Sequence, residues 1–208
     1  MSDMLADFEL LKKYGIPLLP YHIAKSESEA LESAKKIGYP IVLKIVSPEI
    51  EHKTDVGGVK IGIKTEAMLR IAYKELVENA NGRRLTGILV QKMARKGVEL
   101  IIGGKKDEQF GHMVVLGLGG VFVEVFRDIT ARVCPIKEAD VREMITELKA
   151  HPIITGTRGR KPIHIKSLCD IAIKTCKMMH ENNISEIDIN PAVFDENGCD
   201  IIDVRIIR

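Results

Sequence analysis

A histidine, a lysine and a pair of glycines lie close together in this chain, and side chains of those types can handle a phosphoryl group. The stretch Glu51-His52-Lys53-Thr54-Asp55-Val56-Gly57-Gly58-Val59-Lys60 follows the strand-like run Ile41-Val42-Leu43-Lys44-Ile45-Val46. Successive glycines reach backbone conformations other residues avoid, so their N–H groups can converge on an anion, while a lysine supplies positive charge. An imidazole adds a nucleophile that can carry a phosphoryl group briefly and pass it on, which makes His52 the candidate relay. A plainer reading stands beside this one: Gly57-Gly58 between two apolar runs can be a tight hairpin turn and nothing more.

Lys44 interrupts a run that is otherwise apolar, so both faces of its strand are expected to be covered. A buried ammonium requires an anionic partner, which is either a structural carboxylate or a nucleotide phosphate. The C-terminal end supplies acidic and amide oxygens. Glu186–Phe194 and Cys199–Ile206 read as strands around the turn Asp195-Glu196-Asn197-Gly198. A hairpin centred on Glu196-Asn197 sets Asn190 opposite Asp203 and Asp188 opposite Arg205, with each pair on one face. Asn190 and Asp203 would then offer two oxygen ligands to a hard cation such as Mg²⁺. Asp188 shares that face, either as part of the site or as a cross-strand ion pair with Arg205.

Weaker signals surround these. Gly117-Leu118-Gly119-Gly120 after an apolar strand could approach a ligand or simply turn the chain. Gln91-Lys92-Met93 is placed to line an adenine cleft, although Met93 can equally be core. His22, His112, His151, His164 and His180 show no metal-site spacing, and Arg83-Arg84 and Lys105-Lys106 read as solvated surface.

The elements that must position these residues alternate between strand and helix, which favours an α/β or α+β architecture. Helices are expected at about 5–14, from Ser26 or Ser28 to 37, 66–79, 139–149 and 167–182. Strands are expected at 41–46, 59–63, 87–93, 99–102, 112–116 and 121–126, then in the terminal pair. A single candidate boundary falls near 85–92. With 208 residues, 45% of them hydrophobic, the chain can bury a sizeable core. Lys+Arg 31 against Asp+Glu 29, with no long basic run, argues against a nucleic-acid partner. The apolar runs fall short of the roughly 18 residues a membrane span needs, and Met1-Ser2-Asp3-Met4 opens no secretion signal. Cys134, Cys169, Cys176 and Cys199 lack C-x-x-C spacing, which argues against zinc and fits a reducing cytoplasm.

Taken in order, Tyr39–Pro48, His52–Val59, Gly117–Glu124 and Glu186–Pro191 make the chain similar to the β-subunit of ADP-forming acetyl-CoA synthetase, a family related to succinyl-CoA synthetase. The similarity runs from Leu10 to the C-terminus. It implies an ATP-grasp fold, with residues 22–85 as the smaller lobe and 1–21 plus 86–208 as the larger, clasping ATP or ADP with Mg²⁺. It also implies the reaction acyl-CoA + ADP + phosphate ⇌ carboxylic acid + ATP + CoA, completed with a CoA-binding α-subunit in a cytoplasmic hetero-oligomer. By the same resemblance His52 takes the phosphoryl group from that subunit and hands it to ADP, and Asp188 orients His52. Lys44 holds the α and β phosphates, and Asn190 and Asp203 hold Mg²⁺. Gln91, Met93 and Glu99 contact adenine and ribose, and Gly57 and Gly58 belong to the nucleotide-binding set. Lys92 stands where many ATP-grasp proteins have an acidic residue. Two other readings remain: a carboxylate–amine ligase of the same fold, which needs no phosphohistidine, and a non-catalytic nucleotide-sensing module, against which the joint presence of His52, Lys44, Asn190 and Asp203 weighs.

Overall fold

The computed structural model describes residues 4–50, 53–120, 128–157, 159 and 161–208. It divides into two compact units, one built on Leu19–Met93 and the other on Ser2–Leu18 with Ala94–Arg208.

The first unit is an antiparallel sheet of four strands with two helices on one face. The strands are β1 (Tyr21–Ala24), β2 (Ile41–Val46), β3 (Val59–Ile63) and β4 (Gly87–Lys92), in the order β1-β4-β2-β3. The helices are α2 (Glu27–Ile37) and α3 (Glu66–Asn79); α1 (Met4–Lys13) belongs to the second unit. Each helix starts where a hydroxyl satisfies a free N–H. Ser26 Oγ accepts from Glu29 N–H at 3.2 Å, and Thr65 Oγ1 accepts from Met68 N–H at 3.2 Å. Gly38, at φ +80°, stops α2.

Alternation in β2 divides its six buried residues between two surfaces. Ile41, Leu43 and Ile45 join Ala30, Ala34, Leu69, Leu76, Ile88 and Val90 in the apolar core under the helices. Full burial of each Leu or Ile there contributes roughly 1.5–3 kcal/mol. Val42, Lys44 and Val46 take the opposite face and are buried as well, so the expectation of two covered faces holds. Strand β1 escapes a reading from sequence because its four residues, Tyr-His-Ile-Ala, are too few for a periodic signal.

The second unit is a six-stranded antiparallel sheet. Its path is β10-β8-β5-β6-β7, with β9 paired to β8; the strands are β5 (Val98–Asp107), β6 (Gly111–Leu118), β7 (Ile129–Val133), β8 (Glu186–Asp195), β9 (Gly198–Ile201) and β10 (Val204–Ile207). With α1 come α4 (Glu138–Glu147), α5 (His151–Ile154) and α6 (Ile165–Glu181). Strands β5 and β6 run longer than the expected 99–102 and 112–116. Packing explains the glycine at 104: a Cβ there would lie 2.2 Å from Met179 Sδ on α6. That contact marks the helix-covered face, where Leu100, Ile102, Val114, Leu116, Ile187 and Ile189 are all buried. The short helix α5 is also absent from the sequence reading. The carboxylate of Asp128 tethers the chain just before it, accepting from Lys149 N–H at 2.8 Å and Ala150 N–H at 2.7 Å. The strand expected at 121–126 lies outside the described residues.

Two findings bear on membranes and cysteines. Among the described residues no helix is long and apolar enough to cross a membrane. Cys134, just past β7, and Cys176 on α6 are disulfide-bonded with Cα atoms 5.8 Å apart. Sequence spacing cannot show this, since 42 positions separate the pair and tertiary packing alone brings them together; the cysteine-based argument for a reducing compartment therefore does not hold for these two. Cys169 and Cys199 remain thiols, and burial pushes Cys199 up to about 12, so it carries no thiolate at neutral pH.

Candidate functional site

The site residues of the first unit stand on the sheet face turned away from α2 and α3. In the β2–β4 ladder Val42 pairs with Gln91 and Lys44 with Leu89, so Lys44 and Gln91 share that face as diagonal neighbours. Lys44 is 4% exposed and Gln91 1%. Two long polar side chains this deeply buried on the side opposite the apolar core are a costly choice for packing alone. Met93 follows Gln91 at the end of β4, half-buried, with its N–H donated to Pro40 O at 3.1 Å. Lys92, which stands where many ATP-grasp proteins have an acidic residue, points its ammonium at the end of α2: Nζ donates to Gly38 O at 2.7 Å and Tyr39 O at 3.0 Å. Carbonyls at a helix C-terminus attract a cation, which accounts for a lysine here.

The glycine pair closes a turn. Gly57 N–H donates to Thr54 O at 3.0 Å and Gly58 N–H to Lys53 O at 2.6 Å, so both amides are committed within the turn rather than converging on an anion. Gly57 has φ +62°, and a Cβ on Gly58 would come 2.7 Å from Lys53 O. Only glycine fits both demands. His52 itself lies outside the described residues.

In the second unit the hairpin register is the one centred on Glu196-Asn197. Ala192 pairs with Ile201 and Asp195 with Gly198, and beyond them Arg205 pairs with Asp188 and Val204 with Ile189. Asn190 N–H donates to the backbone O of Asp203 at 3.2 Å, which sets these two residues side by side. The strand expected from Cys199 to Ile206 is broken at Ile202-Asp203, and the break faces a bulge in β8. There Leu100 pairs with Ala192 and Ile102 with Ile189, leaving Asn190 and Pro191 opposite Ile101 alone. Bulges re-aim side chains, and this one falls at the residues proposed to hold a metal.

Burial raises the pKa of Asp188, the Asn190 side-chain hydrogen bond opposes the rise, the charges of Glu186 and Asp203 add to it, and Arg205 lowers it. No Asp188–Arg205 ion pair forms within 4.0 Å among the described residues. A carboxylate whose folded pKa lies above its unfolded value costs stability as pH climbs through the ordinary carboxylate range and beyond. Asp188→Asn should therefore raise the melting temperature of the chain at pH 7, with the difference shrinking to nothing below about pH 4. Thermal melts across that range check this, and a lower melting temperature for the variant at pH 7 would contradict the electrostatic account.

Glu99 on β5 is exposed, and the Gly117–Gly120 segment folds against it. Gly119 N–H donates to Glu99 O at 2.7 Å, and a Cβ on Gly120 would lie 3.0 Å from Glu99 Oε2. Those glycines thus shape the surroundings of the Glu99 carboxylate.

Sequence reasoning missed Arg95. Its guanidinium binds Asp195 Oδ1 at 2.8 Å and Asp200 Oδ1 at 2.9 Å, and its backbone N–H binds Asp200 Oδ2 at 2.7 Å. It pins the β8–β9 hairpin that carries Asn190 on one of its strands. Nothing in Ala94-Arg95-Lys96 signals this role, because the partners are about a hundred positions away.

The donor set suits Mg²⁺. Asn190 and Asp203 offer an amide carbonyl and a carboxylate, and the cost of burying Asp188 beside Asp203 is one that a nearby cation relieves. Among the described residues no three His, Cys, Asp or Glu side chains form a metal cluster. Mg²⁺ commonly takes only one or two protein oxygens and completes its shell with water and phosphate, so a sparse set is compatible with it.

A family model described as an ATP-grasp domain matches residues 3–207. The chain is 45% identical over 204 residues to acetate–CoA ligase [ADP-forming] I subunit beta of Pyrococcus furiosus, covering 96% of this chain and 88% of that one. It superposes with a TM-score of 0.94, at 45% identity and over 100% of this chain and 92% of the other, on the acetyl-coenzyme A synthetase 1 of Ca. Korarchaeum cryptofilum in complex with coenzyme A and Ca-AMPCP. A second structure of that enzyme, with coenzyme A and Mg-AMPPCP and its phosphohistidine segment pointing towards the nucleotide-binding site, gives a TM-score of 0.86 at 44% identity, over 97% and 89% of the two chains. The chain therefore belongs to the ATP-grasp family and, within it, to the β-subunits of ADP-forming acetyl-CoA synthetases.

Proposed function

We propose that this chain is the nucleotide-handling half of an ADP-forming acyl-CoA synthetase and passes a phosphoryl group from a CoA-binding α-subunit to ADP. The overall reaction is acyl-CoA + ADP + phosphate ⇌ carboxylic acid + ATP + CoA, and the hetero-oligomer works in the cytoplasm. An intracellular disulfide is compatible with that location, as hyperthermophilic archaea illustrate.

The observation that carries the reading is the meeting of Asp188, Asn190 and Asp203 around the bulge in β8, beside the break between β9 and β10. Asn190 and Asp203 would hold Mg²⁺, which when bound neutralises phosphate charge. Lys44 places a buried positive charge against the α and β phosphates, and Gln91, Met93 and Glu99 supply contacts for adenine and ribose. The Gly57-Gly58 turn fixes the chain on the C-terminal side of His52. His52 accepts the phosphoryl group on nitrogen; that N–P bond then breaks as the terminal oxygen of ADP bonds to phosphorus, and Asp188 holds the imidazole in position. Phosphoryl transfer asks chiefly for such positioning and charge neutralisation. A carboxylate–amine ligase would have no use for His52.

The purified chain should bind ATP and ADP but make no ATP from acetyl-CoA, ADP and phosphate until its α-subunit is added, whereupon the two co-purify. Full turnover by the chain alone would overturn this division of labour.

A further inference from the structure

The disulfide and two histidines that the proposed function leaves unused meet at one end of the helix-covered face of the six-stranded sheet. Val114 pairs with Arg132 in the β6–β7 ladder, and the next residues on that face are His112 and Cys134, joined by a bond of 2.8 Å from Cys134 N–H to His112 O. Above them on α6, Cys176 and His180 stand one turn apart on a single face. Cys176 is bonded to Cys134, and the His180 ring meets the His112 ring edge-on with centroids 5.8 Å apart. Two sulfurs and two imidazoles from three elements thus converge where spacing along the chain shows nothing.

His112 has the arrangement of a metal ligand. Its ring donates to the backbone of Ile184, while Nε2 is buried and has no partner. A ligating histidine is held this way, one ring nitrogen fixed by a carbonyl and the other bare for the ion. Burial holds the imidazole below the usual histidine range, the charges of Lys106 and His180 add to this and the Ile184 bond opposes it, so the ring is neutral and Nε2 carries a lone pair. A disulfide needs neither histidine, and a bare buried nitrogen is a cost that an ion would offset.

We propose that, once the disulfide is reduced, Cys134, Cys176, His112 and His180 bind one Zn²⁺ in a closed structural site that latches the edge strand β7 to α6. While the sulfurs are bonded to each other, no three His, Cys, Asp or Glu side chains form a metal cluster among the described residues. A dithiol reductant breaks the S–S bond by giving up its two thiol hydrogens and becomes a disulfide itself; the two new thiols release two protons to water as two Zn–S bonds form. Cys134 is only half-buried, which gives reductant and ion a way in. Cα atoms 5.8 Å apart suit sulfurs about 3.8 Å apart on one ion, each Zn–S bond being about 2.3 Å. Two Zn–N bonds of about 2.0 Å set imidazole centres about 5 Å apart, near the 5.8 Å between these rings. Two thiolates cancel the charge of the ion, so the pair is buried at less cost than a lone thiolate, and sulfur with imidazole selects Zn²⁺ over Mg²⁺.

The test uses the whole chain, reduced with dithiothreitol, freed of it under argon and titrated with Co²⁺, whose spectrum reports its ligands. The reduced wild type should bind a single Co²⁺ with thiolate charge-transfer bands and the strong visible bands of a tetrahedral ion, and Zn²⁺ should bleach them by displacement. Cys134→Ser, Cys176→Ser and His112→Ala should each weaken Co²⁺ binding by about tenfold or more, since even a lost hydrogen bond to a ligand costs on that order. Cys169→Ser, the other cysteine of α6, serves as the control and should keep the wild-type spectrum. Zn²⁺ should also raise the melting temperature of the reduced chain and slow its reoxidation by oxidised glutathione, while the disulfide-bonded chain shows neither the spectrum nor the shift. A reduced wild type that gives no tetrahedral spectrum, whether or not circular dichroism finds it folded, would overturn the assignment. So would a His112→Ala chain that binds Co²⁺ with unchanged affinity, or a disulfide-bonded chain that gives the same spectrum.

Discussion

Lys44→Met should leave the chain folded and reduce its affinity for ADP and ATP by roughly one and a half to three and a half orders of magnitude. The lysine sits in the middle of β2, 4% exposed, in a strand whose other side chains are apolar. Removing one partner of a buried charge pair costs roughly 2–5 kcal/mol of binding, and each 1.4 kcal/mol is a factor of ten. Methionine keeps the length and volume of the stem, so the strand and the core beneath it are undisturbed. The same substitution separates the two meanings a buried lysine can have. If its partner is the nucleotide, the variant loses affinity by far more than any change in its stability without ligand explains. If its partner is a structural carboxylate, the variant loses stability, on the order of 3–5 kcal/mol, as a buried charge is orphaned, and nucleotide affinity follows only through unfolding. Isothermal titration with Mg-ADP beside thermal melts in the absence of nucleotide distinguishes the outcomes. Unchanged affinity in a folded Lys44→Met chain would remove this residue from the site.

Much of the arrangement around that lysine can be read in the sequence, because local rules govern it. Thr65 and Ser26 announce their helices by hydroxyl capping, and α3 spans the 66–79 that its periodicity predicts. The terminal hairpin follows from one strong turn, since the Asp195–Gly198 signal fixes the centre of the register and the register fixes every partner down to Asp188 and Arg205. What escapes is set by distant packing. The strand expected to end at Ile102 runs on through Gly103 and Gly104, and Met179 of α6 lies against the second of them. The Asn190 bulge and the break at Asp203 answer each other across two strands, and neither carries a local signal. Arg95 and the Cys134–Cys176 pair depend on partners far along the chain. Gly57-Gly58 shows a different limit: glycine at both positions is legible, but whether their amides meet an anion or close a turn is decided by where Lys53 and Thr54 place their carbonyls.

On the function proposed above, His52→Ala should abolish relay of the phosphoryl group while sparing nucleotide binding, because the proposal has the imidazole carry the group and leaves the nucleotide to Lys44, Gln91, Asn190 and Asp203. The variant should therefore bind Mg-ATP like the wild type and form no ATP with the α-subunit present. The most direct measurement of the relay is the label itself. The chain is incubated with Mg²⁺ and ATP labelled in its terminal phosphate, with and without the α-subunit, and the modified residue is mapped. A phosphate that is acid-labile, stable to base, located on His52 and missing from His52→Ala is the predicted result. Equal labelling of His52→Ala, or a wild-type chain that binds Mg-ATP and takes up no label on His52 even with its α-subunit, would contradict the account.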